Sequence, residues 1–259
     1  MAIGVRFADT HCHLCCALDD GPQTESDALE MCQQSWNEGI RAITVTAHQN
    51  ERWTLTPDQI IQSTNQLQKT LEEIACDIQL APVGEVMISP ETLEQFVAGD
   101  LLTYGNHGKH LLVEHPHGLF LDIRELASQL IDAGVIPVIA HAERYPELLH
   151  QEVHLRELLE IGCLIQLSSN GITHPSGRKD QKAIKHWLNS GYVHVIGSDA
   201  HSPRRRRPRM REASMTIAKW TNETVAHTIC WTNGIALLNG DNVQTIPATQ
   251  PSRKWFSFK

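Results

Sequence analysis

Several things this chain lacks narrow its function before any motif is read. It has no run of about 18 apolar residues to span a membrane, so membrane insertion is not expected. The residues from Met1 to Arg6 hold no long apolar stretch ahead of a cleavage site, so no secretory signal is expected either. Cysteines number 7, an odd count, with a single CxxC spacing at Cys12 and Cys15 and no second such pair. That reads as reduced thiols in a cytoplasmic protein, and one CxxC without a second pair does not make a Cys-rich structural zinc site. No cysteine has an arginine beyond five intervening residues, so the phosphate loop of a cysteine-dependent phosphatase is missing. No Walker-type glycine loop occurs. A net charge of -8 argues against general nucleic-acid binding. Tyr (3) and Phe (5) are few beside 15 histidines, and the histidines are dispersed, which excludes a tag.

What is present suits one large α/β domain with a substantial core, or two small ones: 259 residues, 41% hydrophobic and 20% charged. The stretch Asp9-Thr10-His11-Cys12-His13 closes an apolar lead-in at Ile3, Val5 and Phe7. Imidazoles at i and i+2 of a strand share a side, and His-x-His there is a ready metal chelate. The same design recurs down the chain. A helix with Thr24 as N-cap and Asp27 as capping-box partner runs to about Glu38, with Ala28, Leu29, Cys32 and Trp36 inward. A strand from Ile40 to Ala47 ends in His48. A helix opens at Thr56-Pro57 with Ile60, Ile61, Leu67, Leu71 and Ile74 buried. The strand Ile78 to Val83 leads to Glu85. After a short helix within Pro90 to Val97, the strand His110 to Val113 leads to Glu114, with His115 and His117 as pocket-rim residues. A helix over Leu119 to Ala133 precedes the strand Val135 to Ala140, which ends in His141. A helix from Pro146 to Ile161 precedes the strand Cys163 to Leu167. A helix near Asp180 to Asn189 precedes the strand Tyr192 to Ile196, which leads to Asp199 and His201. One or two helices follow, from Pro208 to Asn233. Residues 1–240 form a single domain in this reading, and 241–259 form a polar tail with a Trp255-Phe256-Ser257-Phe258 end.

Helix, glycine and apolar strand recur at Gly39, Gly134, Gly162 and Gly191, the connection of a βα series with a parallel sheet. In a closed βα barrel all C-terminal strand ends meet at one face. The expected fold is therefore a distorted seven-stranded (β/α) barrel, with an open doubly wound sheet second. The strand-end donors are His11, His13, Asp20, His48, Glu85, Glu114, His141, Asp199 and His201. They are too many for one ion and about right for two or three divalent ions with bridging carboxylates. Mixed imidazole and carboxylate ligation suits manganese, iron or zinc better than magnesium. Cys12, Cys15 and Cys16 read as small residues lining the pocket. A metal cluster at such a mouth activates water against a carbonyl or phosphoryl group. Arg144 and Arg206 favour phosphate, since guanidinium forks match its oxygens. The basic run Arg204 to Arg207, with Arg209 and Arg211, stands out in an acidic chain.

With those residues in place, the chain resembles the PHP (polymerase and histidinol phosphatase) superfamily. Within it, the chain is similar to the bacterial tyrosine-protein phosphatases of capsule and exopolysaccharide operons. The matching motifs are Asp9-Thr10-His11-Cys12-His13 with Leu18-Asp19-Asp20-Gly21, Ala47-His48, Gly84-Glu85, Val113-Glu114, Ala140 to Tyr145, and Ser198-Asp199-Ala200-His201. They run in family order to about residue 213. The resemblance implies a PHP barrel and a metal-dependent phosphotyrosine phosphatase, often manganese-dependent. It implies three metal sites: His11, His13, Glu85 and Asp199; Glu85, Glu114 and His141; and Asp20, His48 and His201. Arg144 and Arg206 match phosphate-binding arginines, with Arg205 and Arg207 as alternatives to the second. The implied substrate is the tyrosine-rich tail of a membrane-associated autokinase controlling polysaccharide export, and an oligomer is compatible with it. The sequence departs from the family at Ala47, Gln49, His115 and Ala142, none of them an implied ligand. The alternative function is a small-molecule PHP phosphatase such as histidinol phosphatase. A nuclease and a catalytically silent regulatory module are further rivals.

Overall fold

The computed structural model describes residues 6–249. The expected Trp255 to Phe258 end, like Ile3 and Val5, lies outside the described residues. The chain opens with β1 (Phe7–His13), α1 (Glu25–Glu38), β2 (Ile40–Gln49), α2 (Pro57–Glu73), β3 (Gln79–Met87) and α3 (Thr92–Ala98). It continues through β4 (His110–Glu114), α4 (Arg124–Asp132), β5 (Ile136–Ile139), α5 (Pro146–His150) and α6 (Glu152–Ile161). The rest is β6 (Leu164–Ser168), α7 (Ser169–Thr173), α8 (Arg178–Ser190), β7 (Val195–Gly197), α9 (Arg211–Trp220), α10 (Glu223–His227) and α11 (Asn233–Asn239). The strands pair in sequence order, every neighbour parallel.

The sheet curls until β7 meets β1, and there the ring is held by few bonds. Asp199 N donates to His11 O at 2.7 Å and His13 N donates to Ala200 O at 2.9 Å. Asp9 accepts from Ser198 N at 2.7 Å. The approach is close because Gly197 has no side chain: a Cβ there would stand 2.3 Å from the His11 Cβ. The outcome is a nearly closed seven-stranded parallel barrel with helices outside, as the βα rhythm predicts. Three layers fill it. Val83, Leu112, Val138, Leu164 and Val195 pack inside with Leu237 of α11, while Leu238 of α11 packs with Ala8, Ala42 and Ala81. Above them Gln166 Nε2 donates to the Tyr104 hydroxyl and to Thr10, and the Tyr104 hydroxyl donates to Thr10 O. The third layer is the mouth. Outside the sheet, the larger apolar cluster runs from Phe7 and Met31 through Trp187 to Ile229.

Local chemistry sets most element ends. The Thr24 hydroxyl accepts from Asp27 N at 3.1 Å, while the full reciprocal capping box forms at Thr56 and Gln59 instead. Gly39, Gly162 and Gly191 take left-handed conformations that end α1, α6 and α8.

Other boundaries differ from expectation. In α1 the buried face is Ala28, Met31, Cys32 and Ser35, while Leu29 and Trp36 are half-buried. Ile74 is exposed, because it caps α2 beyond its last buried turn. The helix expected from Leu119 begins only at Arg124, since Leu121 N is already engaged by His115 Nδ1 at 3.3 Å. The helix expected over Pro146 to Ile161 breaks at Gln151, and its halves pack on different neighbours, α5 on α8 and α6 on α4. Tyr192 to His194 stay outside β7. The final helices extend to Asn239 through a π turn at Thr228–Thr232. Residues 241–249 dock on the domain: Gln244 N donates to Asn233 Oδ1, Thr249 N donates to Asn189 O, and Ile246 is buried.

Candidate metal centre

All nine predicted donors meet at the C-terminal mouth of the barrel, and eight of them are buried; Asp20 is exposed at the edge. Glu85, near the end of β3, sits at the middle. One of its oxygens lies 3.2 Å from His11 Nε2, 3.2 Å from His13 Nε2 and 3.1 Å from His48 Nδ1. Its other oxygen lies 3.0 Å from His141 Nε2. Glu114 closes one side, 3.3 Å from His48 Nδ1 and 3.6 Å from His141 Nε2. Asp199 closes another, 3.5 Å from His11 Nε2 and 3.7 Å from His201 Nδ1. Asp20 bridges His48 and His201 at 3.4 and 3.2 Å.

Three groups have ligand atoms mutually close enough to share an ion: His11, His13 and Glu85; His48, Glu85 and Glu114; and His13, Asp20, His48 and His201. The sets implied by resemblance overlap these. They differ in that His48 stands where His141 was implied beside Glu85 and Glu114, His13 also joins the Asp20 corner, and His141 and Asp199 fall in none of the three groups.

The backbone helps to aim these groups. An extra residue in β1 between Asp9 and Cys12 shifts its register against β2. His141 and Asp199 both take left-handed conformations, at φ 33° and 53°, as the chain turns off β5 and β7. Non-glycine residues held there cost roughly 1–3 kcal/mol each and gather at functional sites.

The hydrogen bonds around the imidazoles fix which nitrogen faces inward. His13 Nδ1–H donates to Asp19 Oδ2 at 2.7 Å, and His11 Nδ1–H donates to Gln166 Oε1 at 2.9 Å. His201 Nδ1–H donates to the Asp199 carbonyl at 3.1 Å. In the neutral ring Nε2 then carries the lone pair and is turned towards the carboxylates, the arrangement that orients metal-ligating histidines. His48 Nδ1 and Glu114 Oε1 are buried without a hydrogen-bonding partner. Buried polar atoms without partners are costly, and these face one another across the space a cation would fill. The donor set therefore fits divalent ions.

The electrostatics agree. Burial works against ionisation of Glu85, Glu114, Asp199 and Asp20, yet all four are held below the usual carboxylate range by the facing imidazoles and, for Asp199, by Arg144 and Arg206. Burial also opposes charge on His13, but Asp19 and Glu85 push it up to about 9. His48 rises to about 11 through Asp20 and Glu114, and His141 to about 9 through Glu114 and Glu85. His201 goes the other way, lowered by burial and by the neighbouring His13.

Arg144 and Arg206 both donate to Asp199 Oδ2, the second at 2.5 Å. Their guanidinium groups thus meet at one edge of the mouth. Arg205 and Arg207 are exposed and do not reach it. Trp53 stacks on His48 with ring centroids 4.9 Å apart, a wall of the mouth that sequence reading overlooked. Asp19 and Gln166 were likewise missed as orienting groups. Gln166 is legible afterwards as a lone polar residue in an apolar strand, and Asp19 is the other half of Asp19-Asp20. His115 is not a rim residue: it is buried between Phe120 and Tyr145, while His117 is exposed. Cys12 and Cys15 are buried in the outer apolar layer instead of lining the mouth.

The comparisons with known proteins point the same way. A family model described as "Capsular polysaccharide synthesis, CpsB/CapC" matches residues 7–239. The tyrosine-protein phosphatase CpsB of Streptococcus pneumoniae is 31% identical over 218 residues, 82% of this chain and 89% of that protein. The tyrosine-protein phosphatase YwqE of Bacillus subtilis is 28% identical over 255 residues, 96% of this chain and 99% of that protein. A solved structure described as YwqE from Bacillus subtilis and CpsB from Streptococcus pneumoniae, "unique metal-dependent tyrosine phosphatases", superposes with a TM-score of 0.85 at 27% identity. The superposition covers 95% of this chain and 99% of that one. The chain belongs to the CpsB/CapC capsular polysaccharide synthesis family.

Proposed function

We propose that this protein is a metal-dependent phosphatase that hydrolyses phosphotyrosine in proteins. The observation that carries the reading is the meeting of five imidazoles and four carboxylates at the barrel mouth with two guanidinium groups on their edge. The proposed ligand sets are those implied by resemblance, with His48 and His13 shared between corners. Divalent ions bound there, manganese first with iron or zinc as alternatives, supply an activated water and charge neutralisation at phosphorus. Asp19 and Gln166 hold the His13 and His11 rings so that Nε2 faces inward. Arg144 and Arg206 grip the phosphoryl oxygens and neutralise charge as it shifts. The leaving tyrosinate has a pKa of about 10, so it departs without full protonation.

The reading carries several finer assignments. The substrate is the phosphotyrosine-bearing tail of a bacterial tyrosine autokinase that regulates polysaccharide export. The protein acts in the cytoplasm, and no helix among the described residues is long and apolar enough to cross a membrane. Residues 1–240 are one catalytic domain, with 241–259 as its tail.

The test strips the protein of metal and restores manganese, zinc, iron or magnesium one at a time. Phosphate release is followed from a tyrosine-phosphorylated peptide and from histidinol phosphate. Metal-dependent release that favours the peptide is expected. Preference for histidinol phosphate would move the protein to small-molecule metabolism, and no turnover of either would overturn the reading.

A further inference from the structure

Five of the six residues from Arg204 to Arg209 are arginine, and the metal centre engages one of them. Arg206 turns inward to Asp199. Arg204, Arg205, Arg207 and Arg209 are exposed, with no carboxylate in ion-pairing range among the described residues. The loop that carries them is tightly built. Ser202 Oγ accepts from Arg205 N and Arg206 N at 3.1 and 3.3 Å. His201 N and Ser202 N both donate to Arg206 O, and Gln34 Nε2 donates to Pro203 O at 3.0 Å. The loop thus leaves His201 and folds back onto it, which puts its outward arginines on the rim of the mouth.

A second loop adds to the same corner. It leaves His48, and Asn50 Oδ1 locks it by accepting from Arg52 N and Trp53 N at 2.9 and 3.0 Å. The exposed Arg52 guanidinium lies 4.2 Å from the centre of the Trp53 ring. The His48 and His201 rings are 6.1 Å apart, so both loops flank the Asp20 side of the site. Crowded like charges repel one another, and among the described residues the one side-chain hydrogen bond from the outward members of this run is Arg207 Nε donating to Arg204 O at 3.2 Å. In a chain of net charge -8, their concentration beside the mouth fits a negatively charged partner.

We propose that Arg52, Arg204, Arg205, Arg207 and Arg209 form a docking rim for an acidic peptide segment flanking the phosphotyrosine. This rests on the phosphatase reading above and names the substrate feature that this chain selects. The loops are pre-organised, so little ordering entropy opposes docking. The contacts are exposed and therefore screened by salt.

The experiment compares the wild-type metal-loaded protein with the variant Arg204→Ser/Arg205→Ser/Arg207→Ser/Arg209→Ser. Substrates are a phosphotyrosine peptide flanked by Asp and Glu, the same peptide flanked by Ser and Gln, and p-nitrophenyl phosphate. At low ionic strength the wild type should show a KM roughly tenfold lower for the acidic peptide, since each exposed pair contributes little alone. That preference should vanish at high salt and in the variant, with kcat on p-nitrophenyl phosphate preserved. Equal KM values for the two peptides in the wild type, or a preference that survives in the variant, would overturn the proposal. Fluorescence anisotropy with the unphosphorylated acidic peptide keeps the test independent of turnover. If no phosphate is released from any substrate, the phosphatase reading fails, while loss of peptide binding in the variant still supports the rim. Tighter binding of a single-stranded DNA oligonucleotide of equal charge would overturn the assignment to a peptide.

Discussion

Three histidines at the mouth and two at the opposite end of the same barrel are tuned in opposite directions. His110 opens β4 and His194 lies just ahead of β7, at the N-terminal end of the strands. Burial pushes both down to about 4, helped at His110 by Lys109 and His107. His194 is used as a neutral acceptor, taking a hydrogen bond from Ile165 N at 3.1 Å. At the C-terminal end His13, His48 and His141 are equally enclosed yet pushed up to about 9, 11 and 9. The difference is not burial but the carboxylates: Asp19, Asp20, Glu85 and Glu114 stand within hydrogen-bonding or ion-pairing reach of these rings. The contrast teaches that the strand bottoms are built to stay neutral and support the fold. The strand tops hold charge that needs a counter-charge, supplied by protons or by metal ions. Metal binding to such a site displaces protons, since ligand imidazoles must be neutral.

The strongest way to break this contrast is to remove the carboxylate at its centre. Glu85→Gln leaves His11, His13, His48 and His141 without their shared partner. Calorimetric titration with manganese should show fewer ions bound per chain. Phosphotyrosine hydrolysis should fall by more than about 100-fold, beyond the loss seen for residues that only orient ligands. Unchanged stoichiometry and rate would remove Glu85 from the centre. A smaller effect is expected one step outward. Asp19→Asn keeps an acceptor for His13 Nδ1–H but takes away the charge that raises this ring. Metal affinity should weaken by roughly 10- to 100-fold while circular dichroism stays unchanged. A variant that binds metal like the wild type would make Asp19 a turn residue only.

The same contrast explains which parts were legible in the sequence. Strand ends were readable because apolar β-branched runs stop at His48, Glu85, Glu114 and His141, and a charged group after such a run demands a reason. The barrel was readable from the helix–glycine–strand rhythm at Gly39, Gly162 and Gly191. Boundaries set by tertiary contact were not readable. The late start of α4 depends on His115 reaching Leu121 N, and the break at Gln151 on two packing partners for α5 and α6. The orienting residues were hidden for a related reason. Asp19 and Gln166 act across the fold, and Gln166 meets His11 from 155 positions away. The choice of Arg206 among four neighbouring arginines was likewise made by the loop closing on Arg206 O, which no local pattern records.

The smallest expected effect sharpens the contrast through pH, in the metal-stripped protein. His110 and His194 have folded pKa values below the unfolded value of about 6.5, so the unfolded chain binds more protons in that window. Their contribution is complete above pH 6.5 and is lost as pH falls towards 4. For His13, His48 and His141 the sign reverses: the folded state binds more protons above pH 6.5, so stability falls as pH rises through about 9 to 11. Urea midpoints at pH 5.5, 7 and 9.5 should therefore trace a dome, with His110 and His194 contributing to the acid limb alongside His115 and His201, and His13, His48 and His141 giving the alkaline limb. His194→Asn retains an acceptor for Ile165 N without a titrating ring. It should recover about 1 kcal/mol of the loss between pH 7 and 5.5 while leaving the alkaline limb as it was. Restoring manganese should flatten the alkaline limb, because the ions take the place of the protons there. An alkaline limb that manganese leaves unchanged, or one that responds to His194→Asn, would show that the two sets of histidines are not separately tuned.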